Sequence, residues 1–310
     1  SCHHRLFAKE LLLTHTAFGH WMGNAIQQFI SKNNLEHKVH LIASHGHTVF
    51  HEPHAGMTFQ MGDGAAIAAI TQLPVVSDLR NMDVALGGQG APIVPIGEKL
   101  LWNEFTYFLN IGGISNITIN QGDTHLAFDV CPANRVLNLL SNELGKAFDE
   151  NGLMASEGKL NEDLLFDLNE QEYYRKPFPK SLSNEFGAEV LFALIQQYDI
   201  PVQDKLHTFC EHIALQVAAV CTYAETDTAA QMLVTGGGAL NTYLVARMRH
   251  SLTQKNIEVQ IPHADLIQYK EALIMGRIGV LRWREEANVL CSVTGAKRNS
   301  IGGALWMGQN

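Results

Sequence analysis

Along the first thirty or so positions, Phe18, Trp21, Met22, Ala25, Ile26, Phe29 and Ile30 recur at three- and four-residue spacing, which predicts a core-facing helix from Leu11 to about Asn33-Asn34. Short apolar runs then take over. Residues 39–43 predict a strand that delivers Ser44-His45-Gly46-His47 into a turn, and 57–61 predict a second short strand. Gly62-Asp63-Gly64 reads as a turn into a helix over 65–71, and 74–77 as a buried strand with Asp78 and Arg80 at its carboxyl end. The runs 105–111 and 114–119 flank Gly112-Gly113, and a third run, 126–128, ends on Asp129. The pattern there predicts strand, glycine turn, strand, hairpin and strand. Helical periodicity returns over 135–144, 161–169 and 205–225, the last apolar around much of its circumference and expected to be well buried. A strand over 232–235 runs into Gly236-Gly237-Gly238-Ala239-Leu240-Asn241 and a helix over 242–252. A strand over 259–261, a helix over 266–286 and a tail containing Thr294-Gly295-Ala296, expected to pack back on the first lobe, complete the pattern.

The length of 310 residues exceeds what one core usually serves, so two lobes are expected. With 46% hydrophobic and 17% charged residues the chain reads as folded and soluble, and no apolar stretch reaches membrane-span length. A net charge of −9 disfavours nucleic acid and anionic membrane as partners and leaves a small molecule. The five cysteines, Cys2, Cys131, Cys210, Cys221 and Cys291, are scattered and form no C-x-x-C pair, which points to a reducing cytoplasm. The first residues, SCHHRLFAKE, lack both the pattern of a signal peptide and an initiating Met, so the chain is expected to have lost its true start.

Several residues carry candidate chemistry. Gly112-Gly113 is either a phosphate cradle, whose backbone reaches φ > 0 and admits an anion to the amides, or an ordinary tight hairpin; Asp129 is correspondingly a site carboxylate or a turn residue. Strand, Gly236-Gly237-Gly238, helix N-terminus is a more specific arrangement for a phosphate or flat base, and its spacing is neither a Walker A loop nor a Rossmann fingerprint. His45, His47, His51 and His54 read as a zinc site or, more blandly, as substrate contacts and surface residues, with Pro53 breaking the segment. The glycine-rich stretch 83–95 is a candidate hinge or a surface loop. The loop 173–183 gathers three bases and is either an anion site or solvated. Glu271, early in its helix, suits the dipole and is positioned to meet a ligand.

Taken together, SHGHTVFHEP at 44–53, FQMGDGAAIA at 59–68, VVSDLRNMDVALGGQGAPIVP at 75–95, LNIGGISNIT at 109–118, FDVCPANRVLN at 128–138, PKSLSNE at 179–185, VTGGGALN at 234–241 and SVTGA at 292–296 resemble the anhydro-N-acetylmuramic acid kinases over almost the whole chain. The resemblance implies an α/β, two-lobed actin-like ATPase fold, ribonuclease H-like with mixed sheets and an interlobe cleft. It places residues 1–90 in an N-terminal lobe joined by 287–310, and 91–286 in a C-terminal lobe. It implies an enzyme that opens a 1,6-anhydro amino sugar with water and phosphorylates O6 from ATP with Mg²⁺, as a cytoplasmic homodimer in cell-wall recycling. By the same resemblance Asp129 is the base, Gly112 and Gly113 are a phosphate loop, Gly236, Gly237, Gly238 and Asn241 the adenosine loop, and His45, Arg80 and Glu271 line the sugar pocket. No dedicated protein metal site is implied.

Against the family pattern, the first phosphate hairpin, roughly Met-Ser-Gly-Thr-Ser-Leu-Asp-Gly, is missing from these residues. The chain is therefore expected to be a piece of a longer product or, alternatively, a non-catalytic actin-like sugar-binding protein that has lost the loop. A histidine-based metallohydrolase is the third expectation. His47 stands where the family has Gln, Cys131-Pro132-Ala133 where it has Gly-Pro-Gly, and Leu182-Ser183-Asn184 where it has Thr-Gly-Arg.

Overall fold

The computed structural model describes residues 8–122, 124–178, 180–183, 185–221 and 229–308; Cys2, Pro179, Asn184 and the end of the expected 205–225 helix lie outside them. The chain forms two compact units, residues 1–101 with 271–310, and residues 102–270. These divisions differ from the sequence boundaries at 90/91 and 286/287: one falls after Leu101, where a short helix ends, and the other inside the unbroken helix Ala264–Trp283, where no change of composition marks it. Among the described residues the strands are β1 (Ile42–Ala43), β2 (His47–Glu52), β3 (Met57–Met61), β4 (Val75–Ser77), β5 (Tyr107–Ile111), β6 (Ile114–Gln121), β7 (Thr124–Pro132), β8 (Ala230–Thr235), β9 (Ile257–Gln260) and β10 (Ala304–Trp306). The helices of eight or more residues are α1 (Ala8–Lys32), α2 (Gly64–Thr71), α3 (Asn134–Glu143), α4 (Glu162–Asn169), α5 (Val202–Val220), α6 (Thr242–Thr253) and α7 (Ala264–Trp283).

The unit 102–270 is built on a five-stranded sheet in the order β7-β6-β5-β8-β9, with β5, β6 and β7 an antiparallel meander and β8 and β9 parallel to β5. This mixed, three-two-one-four-five order is the ribonuclease H-like arrangement expected. Its consequence for function is directional: β5, β7, β8 and β9 all end at one edge of the sheet, where α/β folds hold their ligands. The expected long buried helix is α5, which sets Leu206, Phe209, Cys210, Ile213, Ala214 and Val217 against the sheet residues Leu109, Ile111, Ile117 and Ile119 in one core. Each such aliphatic or aromatic side chain contributes about 1.5–3 kcal/mol on burial.

In the other unit β1 runs parallel to β4, and β10 closes antiparallel on β4. β2 and β3 form a separate hairpin. Asp63 caps α2 by accepting from the Ala65 amide at 2.9 Å, so the expected glycine turn is also a helix start. Helix α1 departs from its expected facing. Its buried positions are Gly19 and Gly23, where a Cβ would come within 2.6 Å of the Asp63 carbonyl oxygen and 2.8 Å of Ile70, while Trp21 is 64% and Phe29 61% exposed. The two glycines let α1 approach α2 backbone to side chain, and that choice of contact face turns part of the apolar row outward.

Candidate active site

In the unit 102–270, backbone pairing sets a lateral row across the sheet: Asp129 opposite Asn116, Asn116 opposite Asn110, and Asn110 opposite Thr235. Strands lie about 4.8 Å apart, so Asp129 stands about 10 Å along the row from Asn110. Directly beyond that row, on the shared edge, come Gly112-Gly113 after β5 and Gly236–Gly238 after β8. The two glycine turns and the carboxylate are thus brought to one edge of one sheet.

Asp129 lies inside β7 rather than at its end. The register slips between Ser115 and Asn116, leaving Val130 as an extra residue on β7, so that Phe128, Val130 and Cys131 all reach the core while Asp129 stays half-buried. The loop after Tyr173 holds the carboxylate. Asp129 N–H donates to the Lys180 carbonyl (3.0 Å), the Leu182 amide donates to Asp129 Oδ2 (2.8 Å), and the Tyr173 hydroxyl donates to the Asp129 carbonyl (2.7 Å). Burial pushes the Asp129 carboxyl above its ordinary value and the Leu182 hydrogen bond draws it partly back. A carboxyl raised in this way lies closer to the range in which a carboxylate exchanges a proton.

The basic-loop expectation changes accordingly. Arg175 pairs with Glu170 and Lys176 with Glu172 at the surface, and Lys180 turns inward, donating to the carbonyls of Tyr173 (3.1 Å) and Tyr174 (3.3 Å) with its ammonium over the Tyr173 ring. The three bases therefore buttress and solvate the loop that presents Leu182. Cys131 and Ala133, the departures from the family pattern, are core residues; burial pushes the Cys131 thiol up to about 12, so it is inert.

Of the two glycine turns, Gly112-Gly113 corrects the expectation of φ > 0: neither residue adopts it. Their carbonyls accept from Ala133, Asn134 and Arg135 at the start of α3, and Asn134 Nδ2 donates to the Ile111 carbonyl at 3.0 Å. A Cβ on Gly113 would meet nothing closer than 3.8 Å, so that side of the turn is open. Gly236 does take a positive φ of 81°, and a Cβ there would sit 2.7 Å from Asn110 Oδ1; at Gly238 it would collide with Ile111. Glycine is required at these two for close packing of the turns on β5. Asn241 serves as the cap of α6, its Oδ1 accepting from Leu244 N–H at 2.9 Å. Asn110, Asn134 and Arg135 join this edge although sequence reading did not single them out; the only signal was their place beside the glycines.

In the unit 1–101 with 271–310, the structure brings His45, Arg80 and Glu271 together. Arg80 Nε donates to His45 Nε2 at 2.8 Å, and His45 Nδ1 donates to the Gly46 carbonyl at 3.0 Å, which fixes one neutral tautomer. Burial and the Arg80 charge hold the His45 pKa below the ordinary imidazole value, while the Gly46 bond and Glu271 oppose them. Burial also lowers the Arg80 pKa, with Glu271 acting the other way. Both His45 nitrogens are engaged, and His51 Nδ1 faces Thr58 Oγ1 at 3.0 Å. Among the described residues no three His, Cys, Asp or Glu side chains converge as a metal site, and His45 and His51 are each engaged by protein partners. The stretch 83–95 lies within this unit and is tied into it: Arg80 Nη1 donates to the Gly90 carbonyl, and the Gly90 amide to Asp83 Oδ2.

Comparison with known proteins gives a family described as anhydro-N-acetylmuramic acid kinase, matched by residues 8–308. The anhydro-N-acetylmuramic acid kinase of Pasteurella multocida is 35% identical over 293 residues, covering 91% of this chain and 78% of the relative. That of Vibrio parahaemolyticus is 34% identical over 301 residues, covering 93% and 80%. A Vibrio vulnificus relative of the same description is 31% identical over 297 residues, covering 93% and 80%.

Proposed function

The chain belongs to the anhydro-N-acetylmuramic acid kinase family, and from that premise we propose that it opens the 1,6-anhydro ring of anhydro-N-acetylmuramic acid with water and phosphorylates O6, giving N-acetylmuramic acid 6-phosphate. The observation that carries this reading is the convergence of Asp129 and the two glycine turns on the carboxyl edge of one sheet. ATP supplies the γ-phosphoryl group, with Mg²⁺ neutralising its charge. The open face at Gly113 and the exposed Gly237 fit a phosphate chain, and Mg²⁺ would enter as an ion carried by phosphate oxygens and water.

Asp129 takes the proton from the water that attacks the anomeric carbon, while the Leu182 amide fixes its second oxygen. The amides of the Gly112 and Gly236 turns orient the phosphates, and Arg135 beside Gly113 adds positive charge. Asn241 shapes the adenosine side by capping α6. His45, Arg80 and Glu271 line the sugar pocket, Arg80 being the residue suited to its lactyl carboxylate. Among the described residues no helix is long and apolar enough to cross a membrane. Scattered thiols, three of them deeply buried, support a cytoplasmic setting, and the family resemblance supports a homodimer. Incubating the protein with ATP–Mg²⁺ and the anhydro sugar tests the reading: product is expected from the wild type and none from Asp129→Asn, with circular dichroism unchanged. Near-normal turnover by that variant would overturn the base assignment.

A further inference from the structure

Arg80 and His45 are tied through the backbone of Gly90 to a buried carboxylate. Asp83 is wholly buried on the short helix Asn81–Ala85. Its Oδ1 accepts from the Thr294 hydroxyl at 2.7 Å, and its Oδ2 accepts from the Gly90 amide at 2.7 Å. The other side of residue Gly90 is its carbonyl, and that carbonyl accepts from Arg80 Nη1 at 2.8 Å. The path therefore runs without a gap from Thr294 through Asp83 and Gly90 to Arg80, and from Arg80 Nε to His45.

Several features make this path stiff. The Gln89 amide donates to the Thr294 carbonyl at 2.8 Å, the Gly88 amide to the Asp83 carbonyl at 2.9 Å, and the Lys297 amide to the Leu86 carbonyl at 3.2 Å. A Cβ on Gly88 would collide with the Asp83 carboxylate and stand 2.8 Å from Ala296 Cβ, so glycine is needed there for the approach. Gly90 sits at φ +67, with Val84 Cγ2 2.6 Å from where a Cβ would be. A buried carboxylate without its donors costs free energy, so Asp83 holds both of its partners in place.

We propose that Asp83 and Thr294 are positioning residues of the sugar pocket: through Gly90 they aim the Arg80 guanidinium, and Arg80 in turn sets the tautomer of His45. This rests on the reading that Arg80 and His45 hold the sugar. It assigns a role to two stretches, DVALGGQG and SVTG, that the proposed chemistry leaves unused.

The test uses Thr294→Val, which keeps the side-chain shape and removes the hydroxyl donor, beside Thr294→Ser, which restores it; Asp83→Asn is the harsher companion. Two measurements are made on the full chain. The first is the His45 ring ¹⁵N shifts through a pH titration, independent of any substrate, with Arg80 and Glu271 as the charges facing the ring. In Thr294→Val the single Nδ1–H tautomer is expected to give way to a mixture and the titration to move up toward the ordinary imidazole range; Thr294→Ser is expected to retain the wild-type pattern. The second is steady-state kinetics: KM for the anhydro sugar is expected to rise about tenfold, the loss of one hydrogen bond to a charged group, with KM for ATP unchanged. A wild-type His45 titration and sugar KM in Thr294→Val, even with lowered stability or kcat, overturn the proposal. Arg80→Ala separates it from the reading beneath it. If that variant keeps the wild-type sugar KM while Thr294→Val still alters His45, the sugar-pocket assignment fails and the positioning path stands.

Discussion

Asp129 shows how one residue is read at two depths. As a carboxylate after a short apolar run it was legible in the sequence; its surroundings were not, because the amide that binds its Oδ2 lies 53 residues further on. The bulge that sets it off from the core also leaves no mark in a run that simply continues apolar through Val130 and Cys131. Burial raises the Asp129 pKa, and two outcomes follow. As a base it must be ionised, so the acid limb of kcat/KM is expected to fall at a pH above the ordinary carboxylate range, and a limb at or below that range would contradict it. For stability the sign is reversed. A carboxyl whose folded pKa is raised contributes stability that is fully present below the unfolded pKa and is lost as pH rises through the folded value. Asp129→Asn is therefore expected to melt at or above the wild-type temperature at pH 7, the advantage shrinking as the solution is acidified; a lower melting temperature at pH 7 would show that the charge is favoured by its surroundings.

At the scale of elements, the sequence was informative wherever the signal is local. Strand, triple glycine, capped helix around Asn241 is contiguous, as are the β5–β6 turn and the α2 cap, and the structure has all of them. Two kinds of feature were not legible. One is facing: α1 has the right period, yet Gly19 and Gly23 decide which side packs, a choice made by α2. The other is long-range pairing, of which the bond from Thr294 to Asp83, 211 residues apart, is the extreme. The glycine turns then make a discriminating pair of variants. Gly113→Ala adds a methyl group into open space, 3.8 Å from its nearest neighbour, and is expected to leave the melting temperature unchanged while raising KM for ATP about tenfold by obstructing the phosphate side. Gly238→Ala drives the same methyl into Ile111 and is expected to destabilise the fold by about 1–3 kcal/mol. Equal stability losses in the two would mean that Gly113 is a packing residue and the phosphate assignment is wrong.

At the scale of the whole chain, the two units are unequal in what they contain. Residues 102–270 are continuous in sequence, carry the five-stranded sheet and hold one core that runs from Tyr107 to Val259. The other unit is discontinuous, with a three-stranded sheet, the β2–β3 hairpin and buried apolar residues drawn from both of its segments, among them Ile42, Ile67, Val75 and Leu79 from the first and Ile274 and Ile278 from the second. Folding cost grows with every residue ordered, so a large contiguous core is what lets a segment fold alone. The segment 102–270 is expected to fold by itself, with native-like circular dichroism and one cooperative melt. Every glycine assigned to nucleotide, and Asp129, lies within it, whereas His45, Arg80 and Glu271 do not. Ligand response should divide the same way. At one hundred times its Kd, a ligand that binds only the folded state adds about 2.7 kcal/mol, worth roughly 5–10 °C for a unit of this size. ATP–Mg²⁺ is thus expected to raise the melting temperature of the segment, and the anhydro sugar to raise only that of the full chain. A folded segment that ignores ATP–Mg²⁺ while the full chain responds would move the nucleotide off the Gly112 and Gly236 turns, and a segment stabilised by the sugar would remove His45, Arg80 and Glu271 from its recognition.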